Sequence, residues 1–108
     1  MASEDFVIVL TTLPVETDAE IFASHLIEEK LAACVSILPL MRSLYRWKDA
    51  IERGDERQLL IKTSSGRLAD LEARIRTIHP YEVPEFAAIP ITHGSSSYLS
   101  WLAASTVD

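Results

Sequence analysis

The hydrophobic residues of this chain alternate between strand-like runs and helix-like stripes. Phe6 to Leu10 is an unbroken apolar run rich in β-branched residues, which is typical of a strand covered on one or both faces. Pro14 should break the chain after this strand, and Thr17 and Glu20 fit a capping box at the start of a helix. The apolar stripe of that helix recurs at helical spacing and comprises Ala19, Phe22, Ala23, Leu26, Ile27 and Leu31.

The middle of the chain carries strand periodicity. From Arg42 to Lys48 basic residues alternate with others, and the face that bears Tyr45 and Trp47 has the apolar bulk. Pro39 should mark a bulge or an edge position, because it cannot donate to a strand ladder. The run from Leu59 to Thr63 resumes a strand, while Glu52 to Glu56 fits either a turn or the exposed part of a long hairpin.

A second helix and a last strand follow. The second helical stripe consists of Leu68, Leu71, Ile75 and Ile78, with serines before it as capping candidates. His79 and Pro80 should end this helix, because the residue before a proline is pushed out of the α region. Phe86 to Ile91 is predicted to be a strand. A short final helix should bury some of the four residues Tyr98, Leu99, Trp101 and Leu102.

The predicted order is therefore β-α-β-β-α-β plus a terminal helix. Two right-handed βαβ-like halves predict an α+β fold, a ferredoxin-like sandwich with both main helices on one face of an antiparallel sheet. At 108 residues the chain is expected to form one domain, 1–108. The second face of such a sheet also needs a cover, and another subunit is the expected one.

Composition excludes several classes of partner. The formal charge is −6 and the pI is about 5.0, which argues against nucleic acid or an anionic membrane, since both favour a basic patch. The N-terminus lacks the pattern of a signal peptide, and no apolar stretch approaches membrane-spanning length. Cys34 is the one cysteine, which favours a reduced thiol and a cytoplasmic protein.

The most reactive-looking stretch is IHPYEVPEF, Ile78 to Phe86. It brings an imidazole, a phenol and carboxylates together through His79, Tyr81, Glu82 and Glu85. Such a group can bind a divalent cation or a small polar ligand, but it can also serve as a helix stop, with His79 interacting with the helix dipole. No phosphate loop, metal-binding Cys or His motif, or nucleophile elbow is present, so we do not expect an enzyme.

Six motifs occur along the chain in this order: TTLP, EEKLAACVSILPL, SLYRWKDAIE, LLIKT, HPYEVPEF and ITHGSSSYLSWL. Together they make the chain resemble the CutA (CutA1) family of divalent-cation tolerance proteins. The resemblance runs from about Val7 to Ala104. It implies a ferredoxin-like subunit in a homotrimer of the architecture shared with PII signalling proteins. It also implies a non-catalytic role in tolerance of copper and other divalent metals. The alternatives are a PII-like module that binds a small metabolite, and a purely structural assembly trimer.

The resemblance also suggests site residues. In copper-binding relatives the proposed ligands are a cysteine late in the first strand and a His-His pair before Pro-Tyr. The matching positions here are Thr11, Ile78 and His79, so His79 is the one candidate metal ligand retained. A ligand pocket between subunits is expected to be lined by Cys34, Trp47, Lys62, Tyr81 and Glu85. Simpler readings exist for some: a buried small residue for Cys34, a solvated lysine for Lys62, and interface packing for Trp47.

Overall fold

In a computed structural model that describes residues 5–107, the chain forms one antiparallel β-sheet and three α-helices. The strands are β1 (Phe6–Pro14), β2 (Cys34–Ile37), β3 (Met41–Trp47), β4 (Ala50–Ser64) and β5 (Ala87–Pro90). The helices are α1 (Ala19–Glu28), α2 (Leu68–Ile78) and α3 (Ser96–Ser105), and a 3₁₀ turn, Ser65–Arg67, leads into α2. The mixed α+β class expected from the sequence is confirmed.

The strand order in the sheet is β2-β4-β1-β5, and β3 pairs with the far part of β4. The register places Cys34 opposite Lys62 and Met41 opposite Glu56, so β2 and β3 follow one another along the same partner strand. The predicted second strand is thus split in two around Pro39, as expected of a residue that cannot donate to the ladder. This split explains why the structure has five strands and the predicted order had four.

The β3–β4 hairpin extends beyond the rest of the sheet. The last β1–β4 pair is Pro14 opposite Glu56. Beyond Glu56, toward the turn, β4 pairs only with β3 in the described chain. The turn consists of Lys48 and Asp49, whose φ angles are 49° and 65°. Two consecutive positive φ angles define the type I′ turn that suits a two-residue hairpin connection. The acidic segment from Glu52 to Glu56 is therefore strand and not turn.

One face of the sheet carries the hydrophobic core. In β1 the side chains of Val7, Val9 and Leu13 alternate toward α1 and α2, and the paired β4 residues Leu59 and Ile61 do the same. The remaining core residues come mainly from the two helices and the loop after α1: Ala19, Phe22, Leu26, Leu31, Ala32, Leu71 and Ile75. The strand is longer than the predicted Phe6 to Leu10 because this alternation continues to Pro14.

The opposite face of the sheet is more open. Ile8, Leu10 and Leu60 are half-buried there, and Ile89 of the short strand β5 is exposed. At one end of this face α3 contacts β4 and buries Leu102. Leu99 is half-buried, while Tyr98 and Trp101 are 40% and 47% exposed. The expectation that this helix buries some of the four residues is therefore confirmed, by Leu102 and Leu99.

The two helix starts differ from the sequence expectation. Asp18 caps α1, because its Oδ1 accepts from the backbone N–H groups of Glu20 at 3.0 Å and Ile21 at 3.1 Å. The expected Thr17 cap is therefore wrong by one residue. The start of α2 has no side-chain cap, since Arg67 stands at the cap position after the 3₁₀ turn.

The two helix ends follow recognisable rules. After α1, Lys30 has a φ of 59°, the Lys30 N–H donates to the Ile27 carbonyl at 3.0 Å, and the Leu31 N–H donates to the Leu26 carbonyl at 2.9 Å. These two bonds form a Schellman motif with a lysine where glycine is usual. After α2, His79 takes an extended conformation with a ψ of 136°, which confirms the predicted stop before proline.

Candidate functional site

His79 lies at the end of α2 and is 8% exposed. Its Nε2 lies 2.7 Å from the backbone carbonyl of Thr12, and its Nδ1 accepts from the Tyr81 N–H at 3.1 Å. A carbonyl can only accept and an N–H can only donate, so these two partners fix the neutral tautomer with hydrogen on Nε2. The ring also contacts the edge of Phe22, with centroids 5.9 Å apart.

The surroundings of His79 favour its neutral form. Desolvation by burial lowers the pKa of His79 below its ordinary value, and this effect exceeds the opposing influence of the Thr12 hydrogen bond and of the Glu56 charge. The imidazole is therefore neutral near pH 7, and it is held in one orientation by two backbone groups from different parts of the chain.

Tyr81 and Glu56 form the polar partner of this histidine. The Tyr81 hydroxyl donates to Glu56 Oε2 at 2.5 Å, and the Tyr81 ring lies 4.9 Å from the His79 ring between centroids. Burial and the bond to Glu56 raise the pKa of Tyr81 well above its ordinary value, so the phenol remains a donor. Glu56 itself is 5% exposed, which makes it the most buried carboxylate of the described residues.

Sequence reasoning missed Glu56 as a member of the site. The acidic run around it fits an exposed turn or hairpin, so its composition does not indicate that one of its carboxylates, Glu56, is buried. The sequence feature that could have identified Glu56 is its spacing of two residues from Gln58 and four from Leu60. In a continuous strand this spacing places all three side chains on the same face.

Glu85 joins the same region through Gln58. The Gln58 amide donates to Glu85 Oε2 and to the Thr11 carbonyl, both at 2.8 Å. Gln58 lies two residues from Glu56 on the same face of β4, so the two glutamates approach neighbouring positions of one strand. The structure thus brings together three of the predicted residues, His79, Tyr81 and Glu85, through two residues of β4.

Cys34 and Lys62 form a second cluster on the open face of the sheet. They are directly opposite each other in the β2–β4 register. The Lys62 ammonium donates to Ser36 Oγ at 2.7 Å and lies 3.9 Å from Cys34 Sγ. Cys34 is half-buried, as is Lys62, so the reading of Lys62 as a freely solvated lysine does not describe its position.

Trp47 is remote from both clusters within one chain. It pairs with Ala50 beside the hairpin turn, and its ring faces the Lys48 ammonium 5.6 Å from the centroid. Ala50 and Lys62 are near opposite ends of β4, so at about 3.3 Å per residue they are roughly 40 Å apart. Within one chain Trp47 therefore does not share a pocket with Lys62.

Within one chain, the described residues do not assemble a metal centre. Among residues 5–107 no group of three or more His, Cys, Asp or Glu side chains is arranged to hold a metal ion. Thr11 is completely buried, and Ile78 packs against the hydrophobic core. Of the three positions that the resemblance singled out, His79 alone offers a nitrogen ligand.

Two surface grooves of the described chain lie elsewhere. One of about 440 Å³ is lined by residues 15–20 together with Arg57. Another of about 400 Å³ lies between the end of α1 and α2, beside Glu29, Arg67 and Arg74. Neither of these two grooves includes the residues expected to line a ligand pocket.

With this fold and these clusters in place, comparison with known proteins assigns the family. A sequence model of the family described as CutA1 divalent ion tolerance protein matches residues 7–105. The Divalent-cation tolerance protein CutA of Thermus thermophilus is 43% identical over 99 residues, which cover 92% of this chain and 96% of the relative. The chain therefore belongs to the CutA1 divalent ion tolerance protein family.

Solved structures agree with this assignment. CutA1 from Oryza sativa superimposes with a TM-score of 0.92 at 37% identity, covering 98% of this chain and 97% of that one. A protein described as the periplasmic divalent cation tolerance protein CutA from Archaeoglobus fulgidus gives a TM-score of 0.89 at 32% identity, covering 94% and 99%. In the described part of this chain, none of the helices has the length and apolar character needed to cross a membrane.

Proposed function

We propose that this protein is a non-catalytic, cytoplasmic homotrimer of ferredoxin-like, PII-like subunits that acts in tolerance of divalent cations, copper in particular. The observation that carries the metal-binding part is the buried neutral imidazole of His79 beside the Tyr81–Glu56 pair. The family names, which describe divalent-cation tolerance and no enzymatic reaction, support the biological role.

The chemistry of His79 suits a metal ligand. A metal ion binds the unprotonated imidazole, and burial favours that form of His79 at neutral pH. The Thr12 carbonyl accepts from Nε2–H and orients the ring, as second-shell partners of metal-bound histidines do. Nδ1 is then the ligand atom, and metal binding must break its hydrogen bond with the Tyr81 N–H at a cost of about 1 kcal/mol.

The remaining ligands must come from outside this cluster. Glu56 is the nearest carboxylate, and one imidazole with one carboxylate does not complete the coordination of a divalent transition metal. A trimer supplies additional donors where subunits meet. We therefore place the proposed metal site at a subunit interface, with His79 as its contribution from each chain.

The exposed apolar surface supports the trimer. On the projecting hairpin Leu44 is 65% and Ile51 is 71% exposed, and Trp47 and Tyr45 are exposed on its other face. Both edges of this hairpin are unpaired within the described chain beyond the end of β1. An exposed apolar hairpin with free edges is a surface that another copy covers in a stable protein.

The test is a copper titration of purified wild-type protein followed by calorimetry and native mass spectrometry. His79→Ala should weaken copper binding by about tenfold or more, since it removes the one imidazole of the site. His93→Ala is the matched control, because His93 is an exposed histidine outside both clusters. Equal affinities for wild type and His79→Ala would show that His79 is not a ligand.

The second candidate is a PII-like protein that binds a small metabolite at the subunit interface. The observation that favours it is the half-buried Cys34–Ser36–Lys62 cluster on the open sheet face. A thermal-shift screen with nucleotides and organic acids should then give a hit. A purely structural trimer instead requires that Tyr81→Phe and Glu85→Gln change stability and leave every binding measurement unaltered.

A further inference from the structure

The β3–β4 hairpin carries a basic and aliphatic face. Directly opposite residues of an antiparallel pair share a face, and this one contains three such pairs: Arg42–Asp55, Leu44–Arg53 and Arg46–Ile51. Its β4 residues are at odd positions, like the core residues Leu59 and Ile61, so this face lies on the helix side of the sheet and is not part of the open face. We call it the basic hairpin face.

Two arginines of the basic hairpin face have no acidic partner in the described chain. Arg42 Nε lies 3.6 Å from Asp55 Oδ1. Arg46 and Arg53 are exposed and make no ion pair among residues 5–107. The two aliphatic side chains of the face are largely exposed as well. The face therefore combines unpaired positive charge with uncovered apolar surface.

The start of α1 carries a surface of the opposite charge. Its exposed residues are acidic or aliphatic: Val15, Glu16, Asp18, Glu20 and Ile21. Residues 15–20 line the groove of about 440 Å³, in which three carboxylates accompany the single guanidinium of Arg57. Neither Glu16 nor Glu20 makes an ion pair among residues 5–107. We call residues 15–21 the acidic α1 patch, a concave surface with an excess of negative charge.

We propose that the basic hairpin face of each chain docks on the acidic α1 patch of a second copy of the chain. Each chain has 16 acidic and 10 basic residues, so two copies repel each other through most of their surfaces. A contact between the basic hairpin face and the acidic α1 patch replaces that repulsion with attraction. Each of the two surfaces also has two exposed aliphatic residues, which the same contact removes from water.

The pairing of two different surfaces suits a ring. Within one chain no ion pair joins the basic hairpin face to the acidic α1 patch in the described residues. Contacts between two different surfaces of a chain are heterologous, and they either close into a ring or continue as a filament. A closed ring of three covers every hairpin face and every α1 patch. The inference therefore rests on the homotrimer proposed above and assigns one of its contacts.

Carbodiimide coupling of the assembled full-length protein tests the contact directly. Arg46→Lys and Arg53→Lys each keep the charge and place a primary amine on the basic hairpin face, which the reagent joins to a carboxylate in contact with it. Chains labelled with heavy nitrogen are assembled together with unlabelled chains, so a link between two chains carries both isotopes. We expect such mixed links from each introduced amine to the acidic α1 patch.

A matched control validates the coupling chemistry. Arg76 Nη2 lies 3.0 Å from Glu72 Oε2 on the same helix, and both residues are outside the two surfaces. Arg76→Lys should therefore give a link to Glu72 within one chain and no mixed link.

Charge reversal measures the contribution of the contact. The hairpin variant is Arg46→Glu with Arg53→Glu, and the patch variant is Glu16→Arg with Glu20→Arg. Each should speed the exchange of chains between complexes, followed by native mass spectrometry, by about tenfold or more, because like charges then meet. The combination of both variants in one chain restores opposite charges and should bring exchange to within about threefold of wild type. Arg76→Glu, the control reversal, should leave the rate unchanged.

The outcomes separate this contact from the trimer itself. A three-chain complex in which the introduced amines form no mixed links, or form them with other segments, would overturn the contact and leave the trimer standing. Exchange of the combined variant at the product of the two separate effects would overturn the contact as well. A single chain would overturn both proposals. His79 belongs to neither surface, so the copper titration remains an independent measurement.

Discussion

The hydroxyl of Thr11 offers the sharpest test of the core. Thr11 is completely buried, and its Oγ1 has no hydrogen-bond partner in the described part of the chain. It lies on the core-facing side of β1 opposite Leu59, between Val9 and Leu13. Replacing Thr11 with valine exchanges this hydroxyl for a methyl group of nearly the same shape, so the packing is preserved.

The expected magnitude follows from the missing partner. A buried polar group without a hydrogen bond destabilises a protein by about 1–3 kcal/mol. Thr11→Val should therefore raise the free energy of unfolding by about 1–2 kcal/mol. The backbone carbonyl of Thr11, which accepts from Gln58, is untouched by the substitution.

Thr63 supplies the matched control. It is also completely buried on the core side of the sheet, but its hydroxyl donates to the Leu31 carbonyl at 2.7 Å. Thr63→Val should lower the free energy of unfolding by about 1–2 kcal/mol, because it leaves that carbonyl without its partner. The same chemical change is thus predicted to have opposite signs at two buried positions.

The assay is guanidinium unfolding of wild type and both variants at one protein concentration, since self-association adds a concentration-dependent term to stability. Thr11→Val should unfold at higher denaturant than wild type, and Thr63→Val at lower denaturant. If both variants are destabilised alike, the Thr11 hydroxyl has a hydrogen bond and the reasoning is wrong.

Three further predictions use the same unfolding assay. Lys30→Gly should stabilise the protein by about 0.5–1 kcal/mol by removing the penalty of a positive φ at the end of α1, whereas Lys30→Ala, which keeps that penalty, should give no gain. Asp49→Gly should stabilise the type I′ turn by a similar amount, about 0.5–1 kcal/mol, and a loss of stability would contradict the assigned turn. The lowered pKa of His79 means that the unfolded state takes up a proton first, so stability is complete above about pH 6.5 and falls as pH decreases toward the lowered value. His79→Gln should abolish this dependence between about pH 7.5 and about pH 5.5, His93→Gln should retain it, and an unchanged dependence in His79→Gln would exclude His79 as its source.

Most of the secondary structure could be predicted because periodicity reflects burial directly. The predicted stripe of α1 describes its buried face except at Ile27, which is 40% exposed, and the alternation of Tyr45 and Trp47 describes one face of the hairpin. The helix stop at His79 followed from the steric effect of Pro80, which acts on the neighbouring residue alone. Such local causes can be deduced without knowledge of the tertiary fold.

The errors came from nonlocal contacts. Strand β1 continues to Pro14 because β4 pairs with the whole of β1. The sequence of β1 alone does not indicate how long its partner strand is. Strand β5 is Ala87–Pro90, shorter than the predicted Phe86 to Ile91, because its pairing with β1 covers four positions. The cap of α1 was misplaced because Thr17 and Asp18 are both good capping residues and the chain geometry decides between them.

The candidate site could be predicted only in part, because some of its contacts are local in sequence and others are nonlocal. His79, Tyr81 and Glu85 lie close together in sequence, and their proximity survives folding. Glu56 and Gln58, which connect them, come from a strand more than twenty residues earlier, and only the sheet register brings them close. The remote position of Trp47 likewise depends on the length of the hairpin.

Native mass spectrometry of the wild-type protein, purified without added metal and then titrated with copper, tests the central proposal most directly. The proposal predicts a complex of three chains that takes up copper, with uptake reduced in His79→Ala and retained in His93→Ala. A single chain, or a three-chain complex that takes up no copper under conditions in which the fold is intact, would contradict it.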